Sequence, residues 1–90
     1  MLRGKIAVVT GAGGGIGKAL CQTLLDRGAR LIATDISEDN LSVLADQAKK
    51  YDLPLTTHVV DVTDPASLER FVEQQYNKKL PIDIWVNNAG

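Results

Sequence analysis

The segment Val8-Val9-Thr10-Gly11-Ala12-Gly13-Gly14-Gly15-Ile16-Gly17 constrains this 90-residue chain more than any other. The aliphatic and β-branched residues of the run from Lys5 to Val9 show no helical period and predict a buried strand. A glycine loop stops that strand, and residues 16–27 then read as a helix. Strand, glycine turn and helix N-terminus in this order make an anion cradle. Free backbone N–H groups and the positive end of the helix dipole converge on the turn. Glycine serves such a turn in two ways. It reaches positive φ without a Cβ clash, and it lets a pyrophosphate come close to the backbone. The spacing Gly11-x-x-x-Gly15-x-Gly17 differs from the commoner G-x-G-x-x-G dinucleotide fingerprint.

The rest of the chain alternates strand and helix. On the first helix Ile16, Ala19, Leu20, Thr23 and Leu24 form a less polar stripe, and Gly28 stands where a C′ glycine ends a helix. Leu31-Ile32-Ala33 predicts a second buried strand ending at Asp35. Ser37 is a candidate N-cap, and Leu41, Leu44, Ala45 and Ala48 mark the inner face of a second helix. Lys49 and Lys50 fall in its last turn, where they complement the dipole. A third strand is expected over Leu55 to Val62, after Pro54. Asp64-Pro65 opens a third helix with proline at N1, and Leu68, Phe71 and Val72 are expected to face inward. Pro81 precedes a fourth strand, Ile82 to Val86.

A β-α-β-α-β-α-β pattern implies a parallel sheet with right-handed crossovers. The expected class is α/β, a Rossmann-type parallel sheet of order 3-2-1-4 with helices on both faces. Helices one and two would lie on one face and helix three on the other. The switch point then falls between strands one and four, at their carboxyl ends, where open α/β sheets bind ligands. The glycine loop and Asn87-Asn88-Ala89-Gly90 meet there. Strand four would form an exposed edge, and these residues would make the first half of a sheet that continues.

Bulk properties exclude several classes. Ninety residues make one small domain, burying only about 60–65% of its unfolded surface. A net charge of −1 supplies no basic field, so nucleic acid is not an expected partner. No apolar run approaches bilayer length, so no membrane role is expected either. The first strand follows Met1 too closely for a signal peptide, and Cys21 has no intrachain partner. Both point to the reducing cytoplasm. His58 has no cysteine or carboxylate at ligand spacing, so no metal site is expected.

Thr10-Gly11-x-x-x-Gly15-x-Gly17, Asp61-Val62 and Asn87-Asn88-Ala89-Gly90, each at the end of a predicted strand, together resemble the short-chain dehydrogenase/reductase family. The resemblance covers all 90 residues. It implies an oxidoreductase that interconverts alcohols and ketones by hydride transfer with a nicotinamide dinucleotide. It also implies a small alcohol or carbonyl substrate, and a homo-oligomer when complete. Catalysis in the family rests on a Tyr-x-x-x-Lys pair with a Ser and a further Asn, beyond the N-N-A-G segment. Tyr51 and Tyr76 are followed four places on by Leu55 and Leu80, so no catalytic residue is expected here. Residues 1–90 are therefore read as the N-terminal part of a single dinucleotide-binding domain. The alternative is a truncated dinucleotide-binding module without catalysis.

The expected cofactor-binding residues are Gly11, Gly15, Ile16, Gly17, Asp35, Ile36, Asp61, Val62, Asn88, Ala89 and Gly90. Asp35, eighteen residues after Gly17, can accept hydrogen bonds from both ribose hydroxyls of an adenosine. A 2′-phosphate beside it would meet like charge, at a cost on the order of 1–4 kcal/mol. NADP-preferring members of the family commonly carry a basic residue just before the middle motif glycine or just after the acid. Gly14 and Ile36 stand there, so NAD is favoured over NADP. By resemblance, Asp61 meets the adenine amino group and Val62 packs at the ring, while Asn87 and Asn88 are both structural and cofactor-lining. Thr10 is expected to tie the glycine loop to the Asn segment. Lys18 is read as a solvated surface residue, Cys21 as packing, and Trp85 as core.

Overall fold

The computed structural model describes residues 2–78 and 81–88. Seven elements follow in order: β1 (Ile6–Thr10), α1 (Gly15–Asp26), β2 (Arg30–Asp35), α2 (Glu38–Lys50), β3 (Leu55–Val59), α3 (Pro65–Asn77) and β4 (Ile84–Asn87). The strands form one parallel sheet in the order β3-β2-β1-β4. Both the Rossmann-type class and the order match the expectation from sequence.

The period-two alternation of β1 and β2 sorts their side chains to two faces. Ala7, Val9, Leu31 and Ala33 pack against Cys21 and Leu25 of α1 and Leu41 and Leu44 of α2. Ile6, Val8 and Ile32 pack against Phe71 of α3 on the other face. Every residue of β1 is buried, whereas β3 and β4 hold only half-buried and exposed positions. At about 1.5–3 kcal/mol per fully buried aliphatic side chain, the two central strands carry most of the packing energy. Asp83 pins the entry of β4 to β1: its Oδ2 accepts the Ile6 N–H at 2.9 Å, and its own N–H donates to Ile6 O at 2.9 Å.

Helix ends follow their local chemistry. Ser37 caps α2 by accepting the Asn40 N–H at 3.2 Å, and Lys49 and Lys50 lie in its last turn. Asp64 caps α3 by accepting the Ala66 N–H at 3.1 Å, with Pro65 in the first turn. Gly28, just past α1, has φ +91°, a left-handed conformation that glycine adopts without strain.

Four expectations are corrected. The buried face of α1 is Gly17, Cys21 and Leu25, with Leu24 partly buried, and Ile16 is 73% exposed. Gly17 lies on the inner face because the helix approaches the glycine loop there. The third strand ends at Val59 and does not reach Val62, because the chain turns into the loop before α3. On α3 Val72 is 46% exposed, and Gln75 takes the inward position one turn beyond Phe71. Trp85 is 43% exposed, since it stands on the strand that ends this sheet, and its ring meets Phe71 of α3 with centroids 6.2 Å apart.

Candidate functional site at the carboxyl ends of the strands

The glycine loop leaves β1 beside the end of β2, fixed there by the Ala12 N–H, which donates to Thr34 O at 2.9 Å. The first bond of α1 runs from the Lys18 N–H to Gly14 O at 2.7 Å. The N-cap of α1 is Gly14, no side chain caps the helix, and no acidic residue lies in its first turn. Helices α2 and α3 are both capped by side chains. The N-terminal N–H groups of α1 are thus left for an anion, with the helix dipole behind them.

The sterics of the loop glycines differ. A Cβ at Gly17 would collide with Gly11 O and stand 2.9 Å from Ala12 Cα, both backbone atoms that cannot swing aside. Helix α1 therefore reaches the loop only because Gly17 has no side chain. A Cβ at Gly13 would collide with Asn40 Cβ and stand 2.9 Å from Asp35 Oδ2. At Gly15 a Cβ would meet nothing within 4 Å. The chain itself does not demand a glycine there, and the bare position leaves space for a group against the backbone.

Asp35 ends β2 and is buried. Its Oδ2 accepts the Gly13 N–H at 2.9 Å and its Oδ1 accepts the Ser37 N–H at 2.9 Å, so the carboxylate joins the glycine loop to the start of α2. A cavity of about 180 Å³ opens beside it, lined by Gly11, Asp35, Ile36, Val60, Asp61, Val62 and Thr63. Ile36, 65% exposed, and the half-buried Val62 give this cavity apolar walls between two acids.

Asp61 lies in the loop after β3. Its Oδ1 accepts both the N–H and the hydroxyl of Thr63, at 2.9 and 2.6 Å, and these bonds hold its carboxyl below the usual carboxylate range. Its own N–H donates to Ser67 Oγ at 3.1 Å, in the first turn of α3. At the other end of the site, the Thr10 hydroxyl lies 3.1 Å from Asn87 Oδ1 and accepts the Asn88 N–H at 3.0 Å. Asn88 Nδ2 donates to Gly11 O at 3.2 Å. Thr10 thus ties the glycine loop to the Asn segment as its position in the sequence predicts. Ala89 and Gly90 lie outside the described residues.

Two residues set aside on sequence do not line this cavity. Burial raises the Cys21 thiol to about 11, which keeps it protonated against the sheet. His58 packs edge-on against Phe71, with centroids 5.3 Å apart; burial, then Lys78, lowers its pKa. Among the described residues no group of three or more potential metal ligands comes together. No helix there is long and apolar enough to cross a membrane.

Residues 5–90 match the model of the short chain dehydrogenase family. The chain belongs to that family. Among curated relatives, the 3-oxoacyl-(acyl-carrier-protein) reductase FabG of Thermotoga maritima is 40% identical over 99% of this chain and 36% of its own length. A hydroxysteroid dehydrogenase structure from Escherichia coli superimposes with a TM-score of 0.88 at 34% identity, covering 99% of this chain and 38% of that one. An actinorhodin polyketide ketoreductase variant with NADPH superimposes at 0.86 with 28% identity, over 96% of this chain and 33% of that one. The chain spans about a third of the length of these relatives.

As a short-chain dehydrogenase segment, the chain brings Gly11, Asp35, Ile36, Asp61 and Val62 to one cavity, with Gly15, Ile16 and Gly17 at the adjoining helix start and Asn88 on the loop's other side. Sequence reasoning missed four supporting residues: Gly13, Asn40, Thr63 and Ser67. A signal for one of them was present. Asp35-Ile36-Ser37 and Asp61-Val62-Thr63 both place a hydroxyl residue two positions after an acid, the spacing of a side-chain-to-backbone turn.

Proposed function

We propose that residues 1–90 are the NAD(H)-binding, N-terminal part of a single dinucleotide-binding domain in an oxidoreductase. Its reaction interconverts alcohols and ketones by hydride transfer. The observation that carries the reading is the buried Asp35 carboxylate at the mouth of an apolar-walled cavity, next to a helix start that no side chain caps.

The residues fit the cofactor. The open space at Gly15 and the free N-terminus of α1 suit a pyrophosphate. Asp35 suits ribose hydroxyls, because each carboxylate oxygen retains acceptor capacity after its one backbone bond. Ile36 and Val62 suit the two sides of a flat base. When bound, the dinucleotide supplies the hydride acceptor or donor. The segment's own work is to bind and orient it, and the proton chemistry belongs to a Tyr-x-x-x-Lys pair that these 90 residues lack.

The ketoreductase relative with NADPH makes NADP(H) the competing choice. In this chain a 2′-phosphate would face Asp35, and neither Gly14 nor Ile36 offers a charge to offset it, which supports NAD(H). The test is turnover by the full-length protein with NADH and a panel of ketones, including 3-oxoacyl thioesters and oxosteroids. NADH-dependent reduction is expected. Tight NADH binding without turnover on any carbonyl compound would replace the enzyme with a dinucleotide-binding module.

A further inference from the structure

We propose that Thr63 is a positioning residue that sets base selectivity at the adenine end of the site; the inference rests on the dinucleotide reading above. Asp61 is held on three sides. Its N–H donates to Ser67 Oγ at 3.1 Å, its carbonyl accepts the Asp64 N–H at 3.0 Å, and its Oδ1 accepts both Thr63 donors. The second oxygen, Oδ2, accepts no hydrogen bond among the described residues. Asp61, Val62 and Thr63 all line the 180 Å³ cavity, together with Asp35 and Ile36.

A carboxylate accepts and cannot donate. With Oδ1 engaged by two donors, the orientation of the group is set and Oδ2 is presented as a lone acceptor. The exocyclic amino group of adenine donates to such an oxygen. A base with an oxo group at the same carbon would set acceptor against acceptor. The backbone N–H of residue 63 makes its half of the clamp whatever the side chain. The 2.6 Å hydroxyl bond is the part that threonine adds, and without it a single donor holds the carboxylate less firmly.

The experiment titrates the full-length protein with NADH and with reduced nicotinamide hypoxanthine dinucleotide, whose base carries the oxo group. The unmodified protein is expected to favour NADH by about tenfold to a hundredfold, the worth of one hydrogen bond to a charged group. Thr63→Val and Thr63→Ala should each cut that ratio at least about threefold. Thr63→Ser, which keeps the hydroxyl, should preserve it, and Asp61→Ala should bring it close to one. If Asp61→Ala leaves the ratio unchanged, the adenine reading of Asp61 itself fails. If Asp61→Ala collapses the ratio while the Val and Ala variants keep it, only the role of Thr63 fails. Equal weakening of both dinucleotides by Thr63→Val, or loss of selectivity in Thr63→Ser, also overturns the proposal, because either result marks a purely structural threonine.

Discussion

The β2–α2 and β3–α3 connections begin alike and end differently. Each starts with an acid, an aliphatic residue and a hydroxyl residue: Asp35-Ile36-Ser37 and Asp61-Val62-Thr63. In each, the hydroxyl residue's N–H donates to the acid's Oδ1 at 2.9 Å, and a capped helix follows. The second bond separates them. Asp35 Oδ2 takes the Gly13 N–H, and the Ser37 hydroxyl caps α2. Asp61 Oδ2 takes nothing among the described residues, and the Thr63 hydroxyl turns back to hold its acid. One turn thus yields a buried clamp on the glycine loop in the first case and an oriented, open acceptor in the second.

The largest expected effect falls on the loop that Asp35 clamps. Gly17→Val should abolish dinucleotide binding in the full-length protein, because the new side chain would drive the Gly11 carbonyl out of the cradle. Retained binding in a fluorescence titration would mean that the loop geometry is not what holds the pyrophosphate. Next comes the contrast between the two acids, read by thermal unfolding without cofactor. Asp35→Ala leaves the Gly13 N–H without its partner, and should cost about 1–3 kcal/mol. Asp61→Ala should cost clearly less, since the Thr63 donors it frees are exposed to water. Equal losses would erase the distinction between clamp and acceptor. The smallest effect is expected for Lys18→Ala. Backbone groups at the start of α1 make the anion site, so cofactor affinity should stay nearly unchanged. A large loss would shift the site from backbone to side chains.

The parts of this arrangement legible in the sequence are those written in periodicity and in glycine spacing. Strand order, the two helical layers and the Ser37 and Asp64 caps follow from patterns that local chemistry enforces. The errors came where tertiary contact decides. Hydrophobicity placed Ile16 in the stripe of α1, but the close approach of the helix to the Gly11 carbonyl puts Gly17, which has no side chain, on the inner face. On α3 a 3.6-residue period from Leu68 and Phe71 leads to position 75, and the polar Gln75 hid it while the apolar Val72 suggested a closer neighbour. Trp85 reads as core from its apolar strand alone, although the strand order puts β4 at the end of the sheet, where side chains stay partly open to water. In the site, the acids and motif glycines were legible by type and spacing. Gly13 and Asn40 were not, because their contact spans the loop and α2 and exists only after folding.

The most direct test of the account is the pair of dissociation constants for NADH and NADPH with the unmodified full-length protein, measured by fluorescence titration in one buffer. Like charge between Asp35 and a 2′-phosphate, on the order of 1–4 kcal/mol, predicts NADH tighter by at least about fivefold. NADPH binding as tightly as NADH, or more tightly, would contradict the role given to Asp35 and with it the assignment of this site to NAD.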